Sequence, residues 1–577
     1  MKLFFSAIVS VIVLVVDATL SYSAVIEGRV YLDANQNGRW DDGETGLPGV
    51  LVSDGRRVVA TDASGHYRLD SGDARAVLWI TVPRDHRPTA TFWRWTDGRQ
   101  PENFGLLRQP QSDDFCFIQI TDTHGSAKAL RRFAEQTNKL PIPIAFVVNT
   151  GDLGGDAFNE INGKIFDTYI EAASAFQRPL FNVPGNHDQV AFLSKTADKT
   201  NPFWGKGLYW QRLGPMHYCW DWGNVHFVAL DGNTLDPYRE ELGAEQLAWL
   251  KADLSFQPHD KPLVLFCHQS LAATRPAAHL TGGVKDSAQL AELLKGRKVL
   301  GAFCGHLHRT FSTRLADFPV YQTGAFCGAW ESGPCLDGTP KGFRFIQIKN
   351  GRMKTAYTNR EGRYPLYVAA PTGTAEQTTP TQSGKIEIEV VVVDFGKPLD
   401  VTARYADQPV PLTLASRDEL WSTWKGTLDT SLEYDGYRAV HVASRLGDDV
   451  STCDMNYLVL NGRAQPYRAD APATLSFDVR GCTTEATLLF NDKPLGVVAA
   501  KTPAKTVVSF DIPSDRLAQL NRVTVRTDGP FRLANIKLRY KKHTVHDPRY
   551  AVFEPHNFNK ATSASSRPED ALYFCLP

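Results

Sequence analysis

Between residues 113 and 364, apolar runs of strand length alternate with stretches of helical spacing, and this alternation constrains the fold more than any other feature of the chain. The clearest runs are residues 115–120, 144–149, 262–267 and 299–304. Helical patterns follow at residues 127–138, 164–176 and 243–256. A hairpin is predicted at residues 217–231, with its turn at Gly223 and Asn224. Alternating strands and helices of this kind indicate an α/β sandwich.

Metal-type ligands follow the ends of these runs and of a further run at residues 179–183. In chain order they are Asp122 and His124; Asp152; Asn186, His187 and Asp188; His268; and His306 and His308. Loops at the carboxyl ends of strands in α/β sheets converge, so we expect these side chains to lie together. Asp122 and His124 are two residues apart, and in an extended segment they would point the same way. Glycines 151, 185 and 305 directly precede ligands, where a missing Cβ permits a sharp turn.

The mixture of donors points to a class of metal. A single histidine at a strand end is usually a packed residue, but donors at five successive strand ends favour a metal centre. Carboxylate, amide and imidazole ligands suit first-row divalent metals rather than calcium or an iron–sulfur cluster. The number of ligands favours a site with two metals.

These blocks match, in order, the five motifs of the calcineurin-like metallophosphoesterase superfamily, which this part of the chain therefore resembles. The motifs are Asp122-x-His124, Gly151-Asp152, Gly185-Asn186-His187-Asp188, His268 and Gly305-His306-x-His308. The resemblance implies a four-layer α/β/β/α sandwich over residues 113–364, flanked by all-β domains. The flanking modules also resemble those of an exported bacterial subgroup.

The resemblance implies a role for each ligand. One metal would be held by Asp122, His124 and His308. The other would be held by Asn186, His268 and His306, and Asp152 would bridge the two metals. His187 would serve as general acid, and Asp188 would orient it. It implies hydrolysis of phosphate mono- or diesters by attack of a metal-bridging hydroxide. Gly155 stands where purple acid phosphatases, one branch of the superfamily, have a tyrosine ligand. The metals expected are therefore manganese, zinc, or iron without tyrosinate.

Residues 24–112 are predicted to form a small β-sandwich, because short alternating runs are separated by frequent turn signals. It resembles the prealbumin-like modules that precede some bacterial phosphoesterases. One segment fits the twelve-residue calcium loop: Asp33, Asn35, Asn37, Arg39 (through its carbonyl), Asp41 and Glu44, with Gly38 at the turn. The segment is either a structural calcium site or a solvated, Asx-rich turn.

Two further β modules are predicted at residues 365–450 and 451–545, followed by a tail at 546–577. Residues 369–384 have the composition of a linker. The second module resembles galactose-binding-like jelly rolls, which either bind glycans or cover an edge of a catalytic domain. An alternative function is therefore a surface or glycan-binding protein with an inactive phosphoesterase domain.

Residues 1–23 have the pattern of a signal peptide, with Lys2 before an apolar run that is too short to span a membrane. We therefore expect a secreted, periplasmic or cell-surface protein without a stable membrane span. The 63 basic and 63 acidic residues balance, so no nucleic-acid partner is predicted. The expected partner is a small phosphate ester or a phosphorylated glycan or lipid; the oligomeric state is left open.

The sequence leaves two points open: which residues contact the substrate and which cysteines are paired. Tyr209, Trp210 and Arg275 could contact substrate, or could be packing and solvated residues. Cys327 could pair with Cys335, and Cys453 with Cys482.

Overall fold

The computed structural model describes residues 24–577, except for 72–75, 156–163, 192–193, 236–239, 273–282, 330, 332, 336–338, 363, 371–380, 398, 406–407, 548–555 and 559–570. The predicted signal peptide and Arg275 therefore lie outside the described residues. The chain divides into two compact units, one with residues Met1–Ile80 and Pro88–Leu107, the other with residues Thr81–Arg87 and Arg108–Pro577. Among the described helices, none has both the length and the apolar character needed to cross a membrane.

The N-terminal region consists of short strands. They are β1 (Ala24–Leu32), β2 (Thr45–Gly46), β3 (Leu51–Ser53), β4 (Val58–Ala60), β5 (His66–Ser71), β6 (Ala76–Ile80), β7 (His86–Pro88), β8 (Trp93–Thr96) and β9 (Phe104–Arg108). One sheet contains β2, β1, β9 and β5, and the other contains β4, β3, β6 and β8. The predicted β-sandwich is confirmed.

The described residues of the central domain form two sheets and five α-helices. Its strands are β10 (Phe115–Ile120), β11 (Ile144–Asn149), β12 (Leu180–Asn182), β13 (Tyr218–Trp222), β14 (Val225–Leu230), β15 (Leu263–Cys267), β16 (Val299–Cys304), β17 (Phe311–Leu315), β18 (Phe318–Gln322), β19 (Gly342–Lys349) and β20 (Arg352–Asn359). Its helices are α1 (Ala127–Thr137), α2 (Lys164–Ala173), α3 (Gly207–Arg212), α4 (Ala244–Ser255) and α5 (Ser287–Leu293). The strand orders are β12-β11-β10-β19-β20 and β13-β14-β15-β16-β18-β17.

The two sheets pack face to face through aromatic side chains. Phe117 on β10 lies 5.6 Å from Phe227 and 6.1 Å from Phe303 of the other sheet, between ring centroids. The opposite face of β10 carries Ile118, which belongs to the core beneath α1 and α2. On the second sheet, Trp249 of α4 packs 4.4 Å from His217, beside the β13–β14 hairpin. The four-layer α/β/β/α sandwich is therefore confirmed.

Strand direction brings the ligand-bearing loops together. Strands β10, β11 and β12 are mutually parallel, as are β14, β15 and β16. The loops that leave these strands at their carboxyl ends therefore meet at one edge of the sandwich. The first three predicted ligand blocks follow β10, β11 and β12, and the last two follow β15 and β16.

Residues 366–459 form a β-sandwich that packs on the central domain. Its strands are β21 (Leu366–Ala370), β22 (Thr381–Gln382), β23 (Lys385–Val393), β24 (Asp400–Tyr405), β25 (Gln408–Val410), β26 (Thr413–Arg417), β27 (Trp421–Asp429), β28 (Gly436–Leu446) and β29 (Asp449–Val459). Trp421 is buried in the core shared with the central domain, and its indole N–H donates to Gln347 Oε1 at 2.7 Å. Because β29 pairs with β28, this sandwich extends past the predicted boundary at residue 450. The segment predicted as a linker contributes parts of β21 and all of β22.

The last sandwich follows from residue 473. Its strands are β30 (Ala473–Cys482), β31 (Ala486–Phe490), β32 (Lys493–Val498), β33 (Val507–Ile512), β34 (Leu520–Thr527), β35 (Phe531–Tyr540), β36 (His543–Val545), β37 (His556–Phe558) and β38 (Leu572–Cys575). Strand β38 pairs with β34, so part of the predicted tail is an edge strand of this domain. Tyr437 of the preceding sandwich donates its hydroxyl to Asp547 Oδ1 at 2.7 Å.

All nine cysteines are thiols, so the pairings considered above, Cys327 with Cys335 and Cys453 with Cys482, do not form. Cys327 and Cys335 lie in one buried cluster with Ala325.

Candidate metal centre

The backbone at the site is bent at most of the predicted ligands. Positive φ angles occur at Asp122 (52°), His124 (40°), Asp152 (53°), His306 (71°) and His308 (50°). Non-glycine residues seldom adopt this conformation, and where they do the surrounding structure must enforce it. The expectation that Asp122 and His124 share a direction because their segment is extended is therefore wrong. They meet because the chain turns tightly at both residues.

One group of ligand atoms is formed by the loops after β10 and β16. His308 Nε2 lies 3.2 Å from Asp122 Oδ1 and 3.2 Å from His124 Nε2. His124 Nε2 lies 3.8 Å from Asp122 Oδ1. These three side chains are the ones predicted to hold the first metal, and the structure brings them together.

A second group surrounds His268. Its Nε2 lies 3.1 Å from Asp152 Oδ2 and 3.1 Å from Asn186 Oδ1. The His268 and His306 rings lie 5.1 Å apart, and Asp152, His268 and His306 can each offer one ligand atom to a common position. The structure thus brings the second predicted ligand set together as well.

Asp152 lies between the two groups. Its Oδ2 is 3.4 Å from His124 Nε2 in the first group and 3.1 Å from His268 Nε2 in the second. Its Oδ1 accepts a hydrogen bond from the His187 backbone N–H at 2.8 Å, which fixes the plane of the carboxylate. The side chain is buried. This is the position that a bridging ligand requires.

Backbone carbonyls orient two of the histidines. His268 Nδ1 donates to the Thr150 carbonyl at 2.7 Å, and His308 Nδ1 donates to the Gly328 carbonyl at 2.7 Å. With Nδ1 held in this way, Nε2 of both rings faces the site and is the nitrogen available to a metal. A hydrogen bond of this kind is the usual way in which a protein fixes the tautomer of a metal-binding histidine.

Asp188 has a different role from the predicted one of orienting His187. Its Oδ2 accepts hydrogen bonds from the backbone N–H groups of Gly185 (2.7 Å) and Asp152 (3.0 Å), and its Oδ1 accepts one from Leu153 (2.9 Å). Both oxygens are thereby occupied by backbone donors. Asp188 is buried and holds the turns that carry Asp152 and Asn186. It therefore positions ligands of the centre through the backbone.

His187 lies beside the first ligand group. Its ring centroid is 5.0 Å from that of His124. It belongs to a short 3-10 helix, Asn186–Asp188, which directs Asn186 and His187 to different neighbours. The structure thus places His187 next to the ligands, as expected for a residue that contacts substrate.

The charges at the centre favour cations. Burial opposes ionisation of Asp122, but His308 and His268 outweigh it and lower the pKa of the carboxyl from 3.8 to about 2. Burial opposes protonation of His268, but Asp152 and Asp122 outweigh it and raise its pKa from 6.5 to about 10. Burial lowers the pKa of His124 from 6.5 to about 4. Two ionised, buried carboxylates with neighbouring imidazoles form a donor set that fits divalent transition metals.

Two of the glycines in the motifs are needed for space rather than for a turn. A Cβ on Gly305 would lie 1.8 Å from Thr121 Oγ1, and one on Gly185 would lie 2.1 Å from Asp152 Oδ1. Gly185 has φ −103° and is therefore not in the left-handed region. Gly151 differs, because its φ of +99° does favour glycine.

Gly185→Ala is expected to lower the phosphoesterase activity that the resemblance implies by at least about 10²-fold. The new methyl group would displace the Asp152 carboxylate, and a shift of about 1 Å in a catalytic group has an effect of that size. The matched control is Gly333→Ala, where a Cβ meets no atom within 4 Å. Turnover of an aryl phosphodiester and bound metal per chain are measured for both variants. Wild-type values for Gly185→Ala would contradict the steric argument.

A loop that the sequence did not indicate forms one wall of the centre. The Phe326 and Cys327 N–H groups donate to the Thr121 and Asp122 carbonyls at 2.9 and 3.1 Å. Cys327 also forms a group with His124 and His308 whose ligand atoms lie close together. No motif signals this loop, although it contacts the site both through its backbone and through the Cys327 side chain.

The proposed substrate contacts of the aromatic segment are only partly compatible with the structure. Tyr209 is fully buried and packs 6.0 Å from Phe166 in the core, so it cannot wall a substrate pocket. Trp210, the next residue of α3, is 39% exposed.

The calcium-loop residues in the N-terminal unit converge on one another. Asp33 accepts hydrogen bonds from the Asn37 and Gly38 N–H groups at 3.1 and 2.9 Å. The Asn35 and Asn37 amides both donate to Asp41 Oδ2 at 2.7 Å. The Asn35 and Asn37 side chains lower the pKa of Asp41. Glu44 accepts from the Ala34 and Asp41 N–H groups, each at 3.0 Å, which closes the loop.

Comparison with protein families gives two matches. Residues 116–310 match the model of calcineurin-like phosphoesterases, and residues 34–109 match the model described as the N terminal of calcineurin-like phosphoesterase. The first match contains every predicted metal ligand.

Similar curated proteins are phosphodiesterases by name. A cAMP/cGMP dual specificity phosphodiesterase of Mycobacterium tuberculosis is 25% identical over 238 residues, covering 39% of this chain and 72% of the relative. A 3',5'-cyclic adenosine monophosphate phosphodiesterase of Haemophilus influenzae is 26% identical over 276 residues, covering 43% of this chain and 92% of the relative. A probable glycerophosphodiester phosphodiesterase of Arcobacter nitrofigilis is 24% identical over 209 residues, covering 34% of this chain and 72% of the relative.

Proposed function

Since residues 116–310 form a calcineurin-like phosphoesterase domain, preceded by the N-terminal module of the same family, we propose that the protein is an exported phosphodiesterase with a centre of two divalent metals. The chain is a hydrolase of phosphoric ester bonds, the reaction class of this family. The finer parts of the proposal are the two-metal centre, the preference for diesters and the export.

The position of Asp152 carries the two-metal part of the proposal. One of its oxygens lies within 3.4 Å of His124 Nε2 and 3.1 Å of His268 Nε2, and these nitrogens belong to different ligand groups. If only one ion were bound, the donors of the other ligand group would be buried without a cation. Two ions sharing Asp152 satisfy both groups.

Each side chain has a defined task in this scheme. Asp122, His124 and His308 would hold one cation, and Asn186, His268 and His306 would hold the other. When bound, the two cations would supply Lewis-acid activation of the phosphate and of a water nucleophile. His187, beside His124, would contact the phosphate and donate a proton to the departing alkoxide, a contribution of roughly 10²–10⁴-fold. Asp188 would keep the Asp152 and Asn186 turns in register through its backbone hydrogen bonds.

The proposed substrates are small phosphodiesters such as cyclic nucleotides or glycerophosphodiesters. The names of the relatives support this class over monoesters. The test is a side-by-side assay of bis-aryl phosphate, aryl phosphate, cyclic AMP and a glycerophosphodiester, with manganese, zinc or iron added in turn. Faster turnover of the monoester than of every diester would contradict the diester preference.

A surface or glycan-binding role with an inactive phosphoesterase domain is less well supported. Every ligand of the two groups is present, whereas an inactive domain has no need to retain them. Bound metal near two equivalents per chain would argue against that role.

Export is proposed from residues 1–23, which combine Lys2, an apolar run and small residues before position 24. N-terminal sequencing of the protein recovered from the native host is expected to start near residue 19 or 24. An intact N-terminus on a protein retained in the cytoplasm would contradict export.

We also propose that the loop from Asp33 to Glu44 binds calcium as a structural ion. Calcium at about 100-fold excess over its Kd is expected to stabilise the N-terminal unit by about 2.7 kcal/mol. Thermal unfolding with calcium or with a chelator measures the shift, and Asp33→Asn is expected to abolish it. Asp62→Asn, at an exposed turn of the same unit, is the control. An equal melting temperature in calcium and in chelator would contradict the proposal.

A further inference from the structure

The carboxylate of Glu240 lies against the ring of His306, one of the predicted ligand histidines. His306 Nε2 is 3.0 Å from Glu240 Oε1. Glu240 is 4% exposed, so this contact is shielded from solvent. By contrast, backbone carbonyls orient His268 and His308.

We propose that Glu240 is a positioning residue that fixes the tautomer and ring orientation of His306, an inference that rests on the proposed two-metal function. A carboxylate only accepts hydrogen bonds, so the proton between the two groups belongs to His306 Nε2. In the neutral ring, Nδ1 is then the lone-pair nitrogen that can bind a metal. His306 thus offers the opposite nitrogen from His268 and His308.

The backbone holds Glu240 firmly enough for this role. The Lys285 N–H donates to the Glu240 carbonyl at 3.0 Å, and the Glu241 N–H donates to the Gly232 carbonyl at 3.0 Å. A β-bridge also joins Glu240 to Asn233. The carboxylate therefore approaches from a segment that is attached to the loop after β14.

His306 is itself attached to the first ligand group. Its backbone N–H donates to the Asp122 carboxylate, 3.0 Å from Oδ2 and 3.2 Å from Oδ1. The backbone position of His306 is fixed from one side and its ring from the other. With φ at 71°, the residue has few other ways to aim its ring.

A carboxylate partner also makes the imidazole a stronger ligand. It holds the ring in the orientation and tautomer that a metal needs, and loss of such a partner typically costs about 10–100-fold in metal affinity. Glu240 thus adds negative charge beside the second ligand group without ligating a metal itself.

The first test reads the His306 tautomer in the metal-free protein by ¹⁵N NMR of histidine-labelled samples, assigned with His306→Gln. We expect the Nε2–H tautomer in the wild type and in Glu240→Gln, whose amide oxygen still accepts the hydrogen bond. Glu240→Ala is expected to lose the hydrogen bond at Nε2, which moves the ¹⁵N signal of Nε2 and lets the ring populate both tautomers. An Nε2 signal and a tautomer population equal to those of the wild type in Glu240→Ala would overturn the proposal.

The second test is a calorimetric titration with manganese. Glu240→Ala is expected to weaken one of two binding events by about 10–100-fold, and Glu240→Gln to weaken it less. The control is Glu245→Gln, an exposed charge change in the first turn of α4. Two binding events of wild-type affinity in Glu240→Ala would overturn the proposal. If the wild type binds fewer than two ions, the two-metal function fails, and the tautomer measurement still decides the role of Glu240.

Discussion

Asp152→Asn is expected to abolish phosphodiester hydrolysis, with a loss of at least about 10³-fold, or about 4 kcal/mol of transition-state stabilisation. The carboxylate oxygen that lies near both His124 and His268 is the shared ligand of the proposed centre. An amide carries no charge and binds divalent cations more weakly, so both ligand groups are weakened by one substitution. We also expect bound metal to fall below two equivalents per chain.

The fold is expected to survive this substitution. Asparagine has the size of aspartate, and its oxygen can still accept the His187 N–H hydrogen bond that Asp152 Oδ1 accepts at 2.8 Å. Burial and the charge of Asp152 raise the pKa of Asp188 from 3.8 to about 7, so loss of that charge relieves repulsion between two buried carboxyl groups and offsets the lost attraction to His268. The melting temperature of the metal-free protein should therefore stay close to that of the wild type.

The control for Asp152→Asn is Asp198→Asn, which removes the same charge from an exposed loop. Turnover of a bis-aryl phosphate, elemental analysis and thermal unfolding are measured on both variants. His268→Ala should match Asp152→Asn in activity. Activity within tenfold of wild type in Asp152→Asn would contradict a bridging role for this residue.

The sequence could predict that these side chains lie together, because they follow strand ends, which apolar runs reveal. It could not predict the backbone conformation that brings them together. Asp122 and His124 were expected to share a direction in an extended segment, but both have positive φ angles. Such a backbone is imposed by hydrogen bonds from remote residues, such as those of the Asp122 and His124 N–H groups to the Gly151 and Asp152 carbonyls.

Strands β17 to β20 show the opposite case, since a readable signal was missed. Residues 342–349 form an apolar run interrupted by only three polar residues, and Asn350-Gly351 is a strong hairpin signal before β20. Strand β19 pairs antiparallel with β10 in the middle of the first sheet. The apolar run followed by this turn signal would have identified it.

Contacts between residues far apart in the chain lie beyond what the sequence can reveal. The family resemblance implied that Asp188 orients His187. The observed partners of Asp188 include the backbone of Asp152 and Leu153, more than thirty positions away. Tyr209 appeared suited to a pocket wall by its aromatic neighbourhood, but helix α3 turns it into the core.

A buried cluster of charged side chains around His226 is a further feature that the sequence did not indicate. His226 is fully buried on β14, with Nδ1 2.7 Å from Asp221 Oδ1 and Nε2 2.9 Å from Asp253 Oδ2. Lys261 Nζ lies 2.8 Å from Asp221 Oδ2, and Cys219 lies close to Asp253 and His226. With both ring nitrogens donating to carboxylates, His226 is an imidazolium, and the cluster of two cations and two anions is neutral.

The cluster makes stability depend on pH in a defined window. Burial opposes protonation of His226, but Asp253 and Asp221 outweigh it and raise the pKa from 6.5 to about 9. Since the folded pKa is raised, the stabilisation is complete below pH 6.5 and is lost as the pH rises through about 9. A shift of this size corresponds to about 3 kcal/mol. Burial raises the pKa of Asp221, but His226 and Lys261 outweigh it and lower the pKa below its usual value. Asp221 therefore stabilises the fold at neutral pH and loses this stabilising effect only under acid conditions.

Asp253→Asn is expected to destabilise the region around the β13–β14 hairpin by about 3 kcal/mol at pH 6, because it leaves a buried imidazolium with one carboxylate partner. At pH 10 the wild-type ring is neutral, so the difference should fall below about 1 kcal/mol. Native-state hydrogen exchange of the Tyr218–Trp222 and Val225–Leu230 amides measures the local free energy of opening at both pH values. The control is Asp260→Asn, at an exposed position, which should change stability by no more than about 0.5 kcal/mol. A destabilisation by Asp253→Asn that is the same at pH 6 and pH 10 would show that His226 is neutral in the folded protein.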